Sequence, residues 1–114
     1  MNIDAEIGKK VQELQVLEQN LQGFLMQKQA FQMELGEVEN ALQEIEKSGG
    51  EVYKIIGGIM LKSDKSTLSK EMSEKKKLLE LRISSIEKQE KLLGSKADAL
   101  RKETNALVEK KNPQ

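Results

Sequence analysis

Apolar residues recur at alternating intervals of three and four positions through the first 45 residues of the chain. Lys10 and Lys28 are the only interruptions in a series that contains Ile3, Ile7, Leu14, Leu17, Leu21, Phe24, Phe31, Leu35, Val38, Leu42 and Ile45. On a helix this spacing forms one apolar stripe, which is typical of a coiled coil. The pattern predicts a first helix over residues 3–48 that packs against a partner helix.

A second apolar series, also typical of a coiled coil, occupies the C-terminal half of the chain. Its members recur every seven residues: Met72, Leu79, Ile86, Leu93, Leu100 and Leu107. Asp64 or Ser66 stands before it as a candidate N-cap, which predicts a second helix over residues 66–110. The two helices match in length, and this favours an antiparallel pair.

An antiparallel pairing of the two stripes brings apolar side chains together along both helices. We predict the facing pairs Ile7 with Leu107, Leu14 with Leu100, Leu21 with Leu93, Leu35 with Leu79, and Leu42 with Met72. Three layers are mixed, because Phe24 would face Glu90, Val38 would face Lys76 and Lys28 would face Ile86. Lys28 either specifies the register, as polar residues within such stripes can, or extends its charged end to water.

The segment between the helices, "EVYKIIGGIML" at residues 51–61, alternates differently and predicts a β-hairpin. Gly57 and Gly58 suit a two-residue turn that needs positive φ. The expected cross-strand pairs are Ile56 with Ile59, Ile55 with Met60, Lys54 with Leu61, and Tyr53 with Lys62. Both faces are then apolar, with Val52, Ile56, Ile59 and Leu61 on one and Tyr53, Ile55 and Met60 on the other. An isolated hairpin of this kind needs other strands or surfaces to cover it, so we expect it to serve assembly.

Charge and composition exclude several classes of function. Nineteen basic and nineteen acidic residues cancel, which argues against nucleic acid or an anionic membrane as a partner. The chain has no Cys or His and lacks the glycine patterns of phosphate-binding loops. We therefore expect no catalytic residues, no cofactor and no metal site. The longest apolar run is too short to span a bilayer, so we expect a soluble, cytoplasmic protein.

Three stretches give the chain a resemblance to a known family. They are "QKQAFQMELGEVENALQEIEK" on the first helix, "EVYKIIGGIMLK" in the middle, and "LELRISSIEKQEKLL" on the second helix. Over nearly its full length the chain resembles the beta-type subunit of archaeal prefoldin. The matching positions are Val52, Tyr53, Lys54, Gly57, Leu61, Lys62, Arg82, Ile86, Gln89 and Glu90.

The resemblance implies an all-α dominated fold, a long antiparallel two-helix coiled coil with a central β-hairpin that joins an intersubunit β-barrel. It implies one prefoldin-like domain over residues 1–114, with a helix at 3–48, a β-hairpin at 51–63 and a helix at 66–110. The hairpin residues expected in subunit assembly are Val52, Tyr53, Ile55, Ile56, Gly57, Ile59, Met60 and Leu61. The expected partners are an alpha-type prefoldin subunit and further beta-type copies.

The resemblance also implies a co-chaperone that works as a heterohexamer without ATP. Such a complex holds non-native client proteins between the tips of its coiled coils and delivers them to a group II chaperonin. The apolar residues expected at the client-binding tips are Ile3, Ile7, Val11, Leu100, Leu107 and Val108. The residues alone leave open an alternative function, a structural coiled-coil scaffold or spacer that assembles through its hairpin.

Overall fold

The computed structural model describes residues 2–112, in which two long helices flank a two-stranded hairpin. Helix α1 spans Ile3–Lys47, strand β1 spans Val52–Ile56, strand β2 spans Ile59–Ser63, and helix α2 spans Lys65–Lys111. Helices make up 83% of the structure, which confirms the expected predominance of helix with a hairpin between the two helices. Within residues 2–112, both helices lack an apolar stretch of the length that a bilayer crossing requires.

The apolar stripes of both helices are the sides that pack. Every stripe residue of α1 from Ile3 to Ile45, including the two lysines, is buried or half-buried. The same holds for the series of α2 from Met72 to Leu107. We refer to these two stripes together as the seam. Removing this apolar surface from water is the main favourable contribution to the pairing of the helices.

The contacts within the chain divide it into two compact units. Unit 1 contains the described residues up to Lys28 and from Ser85 onward. Within it, the beginning of α1 lies beside the end of α2. Lys10 pairs with Glu103 at 2.9 Å, Glu18 with Arg101 at 3.1 Å, and Asp4 with Lys111. These contacts run in opposite directions along the two helices, which makes the pairing in this unit antiparallel.

Unit 2 spans residues 29–84 and contains the hairpin. Its core joins strand and helices, because Val52 of β1 clusters with Ile45, Leu68 and the half-buried Met72. Further along the helices Leu79 is almost completely buried. Polar contacts flank this core: Lys75 pairs with Glu34 at 3.1 Å, and the Arg82 guanidinium lies 5.6 Å from the centre of the Phe31 ring.

Short polar side chains define the helix ends on either side of the hairpin. At the end of α1 the Ser48 hydroxyl donates to the Ile45 carbonyl at 2.7 Å, and Gly50 then continues with a φ of 149°. At the start of α2 Asp64 is the N-cap, since its carboxylate accepts from the backbone N–H and the hydroxyl of Thr67, both at 2.8 Å.

These two hydrogen bonds hold the pKa of the Asp64 carboxyl below its ordinary 3.8, and the bond from the Thr67 backbone N–H has the larger effect. The capping contribution to stability is therefore present above that value and is lost as pH falls through the lowered pKa.

Candidate functional site

The hairpin has the register that the sequence predicts. Ile56 pairs with Ile59, Ile55 with Met60, Lys54 with Leu61, and Tyr53 with Lys62, and Val52 adds a fifth pair with Ser63. Gly57 and Gly58 form the turn with φ values of 57° and 81°. Two successive positive φ angles are the requirement of a type I′ turn, whose twist matches that of the strands it joins.

The helices of unit 2 cover only the base of the hairpin. Val52 is buried in the cluster with Ile45 and Leu68. On the same face Lys54 reaches Glu71 of α2 at 3.4 Å. On the opposite face the Tyr53 hydroxyl donates to Glu51, two residues away, at 2.9 Å. This hydrogen bond lies within the hairpin segment and does not involve the helices. The face that carries Val52 is therefore anchored at one end and open beyond it.

Six apolar side chains of the hairpin remain exposed, and we call them the hairpin surface. They are Tyr53, Ile55, Ile56, Ile59, Met60 and Leu61. They belong to both faces, as the alternation predicts. Within residues 2–112 the sheet has two strands, so the outer edges of β1 and β2 carry backbone groups without a strand partner. Exposed sheet edges of this kind can pair with a strand from another chain, and the apolar side chains beside them can pack against that chain.

The residues expected at the client-binding tips all lie in unit 1, and their exposure differs. Val11 and Val108 are exposed, each on its own helix. Ile3, Ile7 and Leu107 are half-buried in the seam. Leu100 is buried, at 9% exposure, so in this arrangement it closes the seam. Val11 and Val108 are therefore the members of this set with accessible surface, and their contact with clients stays a prediction.

An ion pair within the seam was not foreseen from the sequence. The ammonium of Lys28 donates to the Glu90 carboxylate at 2.8 Å, and each of the two side chains is only 20% exposed. The hydrogen bond that Lys28 donates to Glu90, together with the negative charge of Glu90, raises the pKa of Lys28 above its ordinary 10.5 against the opposing effect of desolvation. The signal was present, since Lys28 interrupts the apolar stripe of α1 and the expected register brings Glu90 to the same stripe, opposite Phe24. Lys28 reaches one turn past Ile86, the residue it was expected to face.

The functional surfaces of the structure are suited to binding. Within residues 2–112, no group of three or more His, Cys, Asp or Glu side chains is placed to hold a metal ion. The residues described above provide exposed apolar side chains, surface charges and the backbone groups of open strand edges. Contacts with other polypeptides use these features.

Comparison with known proteins agrees with this geometry. The sequence model of the family described as "Prefoldin subunit" matches residues 8–111. A prefoldin subunit beta from Sulfurisphaera tokodaii is 39% identical, with 98% of this chain and 91% of that protein covered. A prefoldin subunit beta from Thermococcus onnurineus is 38% identical over 87% of each chain.

A solved structure matches as well. The crystal structure of the prefoldin beta subunit from Thermococcus strain KS-1 superposes with a TM-score of 0.85 at 34% identity, covering 92% of this chain and 94% of that one. The matched region includes both helices and the hairpin between them. The chain therefore belongs to the prefoldin family, among its beta-type subunits, and has the co-chaperone role of that family.

Proposed function

We propose that this chain is one subunit of a heterohexameric holdase. It joins an alpha-type prefoldin subunit and further beta-type copies through its hairpin, whose strands extend into an intersubunit β-barrel. The complex captures unfolded polypeptides at the paired helix ends without using ATP. It then passes them to a group II chaperonin. The whole chain, residues 1–114, acts in this proposal as one prefoldin-like domain.

The hairpin surface is the observation that carries this proposal. Burial of one large apolar side chain contributes about 1.5–3 kcal/mol, and six of them stand exposed around the turn. The open edges of β1 and β2 offer backbone hydrogen bonds in addition. Strands supplied on both sides satisfy the edges, and closure of the extended sheet into a barrel encloses one apolar face. Assembly through strands is therefore the arrangement that uses all of these groups.

The client-binding part of the proposal rests on unit 1. The beginning of α1 and the end of α2 lie together there, joined by surface ion pairs such as Asp4 with Lys111. Exposed ion pairs of this kind contribute little to stability. Val11 and Val108 present apolar area beside these pairs, and the half-buried Ile7 and Leu107 become accessible when the last turns fray. Apolar segments of an unfolded client bind such surface.

The test replaces Ile56 and Ile59 with Asp and follows both assembly and chaperone activity. The full-length chain is combined with an alpha-type subunit, and the complex is measured by native mass spectrometry. Suppression of aggregation of a denatured client is measured without ATP. We expect the variant Ile56→Asp/Ile59→Asp to lose assembly and holdase activity, because charges would enter the interface, and to keep its helical circular dichroism.

The matched control is Val16→Asp/Leu92→Asp, which places two charges at similarly exposed positions of unit 1, 55% and 59% exposed. This control is expected to assemble normally. An unchanged complex in the hairpin variant would remove the hairpin from the assembly. A wild-type chain that forms only a homodimer and leaves aggregation unaffected would favour a scaffold.

A further inference from the structure

The two helices of unit 2 carry opposite surface charge. The α1 part, residues 29–47, has one basic residue, Lys47, against the acidic residues Glu34, Glu37, Glu39, Glu44 and Glu46. The α2 part, residues 65–84, has an excess of bases: Lys65, Lys70, Lys75, Lys76, Lys77 and Arg82 against Glu71, Glu74 and Glu80. The net charge of the whole chain is zero, so this separation is local. Two copies of such a unit attract when the acidic helix of one approaches the basic helix of the other.

On α1, a face outside the seam combines charge with an apolar residue. Met33, Glu37 and Glu44 follow one another at spacings of four and seven, which places them on the same side of the helix. All three are exposed, and Met33, at 71%, is the most exposed large apolar residue in the described chain. We call these three residues the acidic face.

On α2, Lys70, Lys77 and Leu81 form the counterpart at the same spacings, and we call them the basic face. All three are exposed, and Leu81 is 68% exposed. Neither lysine of the basic face nor either glutamate of the acidic face makes an ion pair within residues 2–112. The two faces therefore leave their charges available to another chain.

The two faces lie at matching levels of unit 2. Arg82 stacks on Phe31, so these two residues mark one level of the helix pair. Moving from that level toward the hairpin, Met33 follows Phe31 on α1 and Leu81 precedes Arg82 on α2. Further steps of four and seven reach Glu37 and Lys77, and then Glu44 and Lys70. Each glutamate of the acidic face thus has a lysine of the basic face at its own level. The two apolar residues, Met33 and Leu81, also lie at one level.

We infer that the acidic face of one copy docks against the basic face of a second copy of this chain, beside the hairpin. Side-by-side hairpins bring the bases of neighbouring helix pairs to the same level. Glu44 then meets Lys70, Glu37 meets Lys77, and Met33 meets Leu81. The contact is heterologous, because different faces of the same chain meet. It selects the neighbour and its orientation, which is the usual contribution of complementary charge at an interface.

This inference rests on the proposed assembly through the hairpin, and a crosslinking experiment tests the two separately. The chain has no Cys, so Met33→Cys and Leu81→Cys variants each carry one thiol. A mass-tagged Met33→Cys chain and an untagged Leu81→Cys chain are assembled together with the alpha-type subunit. The complex is verified by native mass spectrometry and treated with a short bis-maleimide reagent. We expect a mixed dimer that joins residue 33 to residue 81.

Glu39→Cys is the control for Met33→Cys, because residue 39 is exposed on the same helix and belongs to a different face. The yield with Leu81→Cys is expected to be several-fold lower for this control. An intact complex whose 33-to-81 yield does not exceed the control overturns the inference and leaves assembly through the hairpin standing. Failure to form any complex overturns both.

Charge reversal provides a second measurement that does not depend on a crosslinker. Glu37→Lys/Glu44→Lys is expected to reduce the mixed dimer several-fold, whereas Glu39→Lys/Glu46→Lys makes the same change of charge away from the acidic face. A partner chain with Lys70→Glu/Lys77→Glu is expected to restore the yield. Loss without such restoration contradicts the proposed charge pairing.

Discussion

Lys28 occupies a position of the seam, where a coiled coil ordinarily places an apolar side chain, and Glu90 is half-buried against it on α2. Each is too polar to lie there alone, because a desolvated charge without a partner is costly. Their 2.8 Å ion pair offsets part of that cost and gives both groups a partner within unit 1. A polar pair at one level of a seam also disfavours registers that would place either charge opposite an apolar residue. The pair therefore contributes more to specificity than to stability.

Removing one partner of this pair should cost more than removing both. We expect Lys28→Met to lower the melting temperature, because Glu90 is left unpaired in the seam. Lys28→Met/Glu90→Leu should recover most or all of that loss, since an apolar pair of similar size fills the same space. Thermal unfolding of the three full-length chains at neutral pH measures this order, and a double variant that melts below the single one would contradict it.

The pH dependence of this pair has a defined sign. Glu90 raises the pKa of Lys28 in the folded chain, so the contribution of the ion pair to folding stability is complete below the ordinary value of 10.5. It is lost as pH rises through the raised pKa. The difference in stability between the wild type and Lys28→Met should therefore shrink in strongly alkaline buffer.

At the scale of elements, the sequence predicts most where a local rule determines the structure. The hairpin register follows from two facts, the glycine pair that needs positive φ and the two-residue period of the strands. The seam of α1 follows from its spacing, and every residue in it is buried or half-buried. The reach of a long side chain is less predictable. Lys28 contacts a residue one turn from its expected neighbour, because its long stem lets the ammonium reach the Glu90 carboxylate.

The glycines of the two kinds of element should respond oppositely to the same substitution. Gly36 lies inside α1, and a Cβ there would meet no atom within 4 Å. Gly36→Ala should stabilise the chain by about 0.5–1 kcal/mol, because Gly loses more backbone entropy in a helix. Gly57 has a φ of 57°, so Gly57→Ala should destabilise the chain by about 1–2 kcal/mol. Urea unfolding of both variants measures the two signs, and a destabilising Gly36→Ala would contradict the argument.

At the scale of the whole molecule, the sequence divides the apolar residues correctly into seam and hairpin but cannot assign each one to a single use. Val52 was expected in subunit assembly, and in the structure it packs against Ile45 and Leu68 of its own chain. Leu100 was expected at a client-binding tip, and it is buried. Their periodicity is the same whether the covering surface is their own helix or another polypeptide, so only the packed structure distinguishes these uses.

Exposure therefore identifies which residues of unit 1 can serve as client contacts without opening the seam. Val11 and Val108 are 37% and 41% exposed, respectively. We expect Val11→Asp/Val108→Asp to leave the complex intact and to weaken client binding by about tenfold, since each valine offers part of the roughly 1.5–3 kcal/mol of a buried side chain. Suppression of client aggregation at a series of complex concentrations measures this loss.

The control for this prediction is again Val16→Asp/Leu92→Asp, which adds the same charge to unit 1 at apolar positions that are more exposed. If client capture depended only on total exposed apolar area, the control would lose more activity than the Val11 and Val108 variant. If it depends on the helix ends, the order is reversed, and we expect that reversed order. Equal activity of both variants and the wild type would show that clients bind elsewhere on the complex.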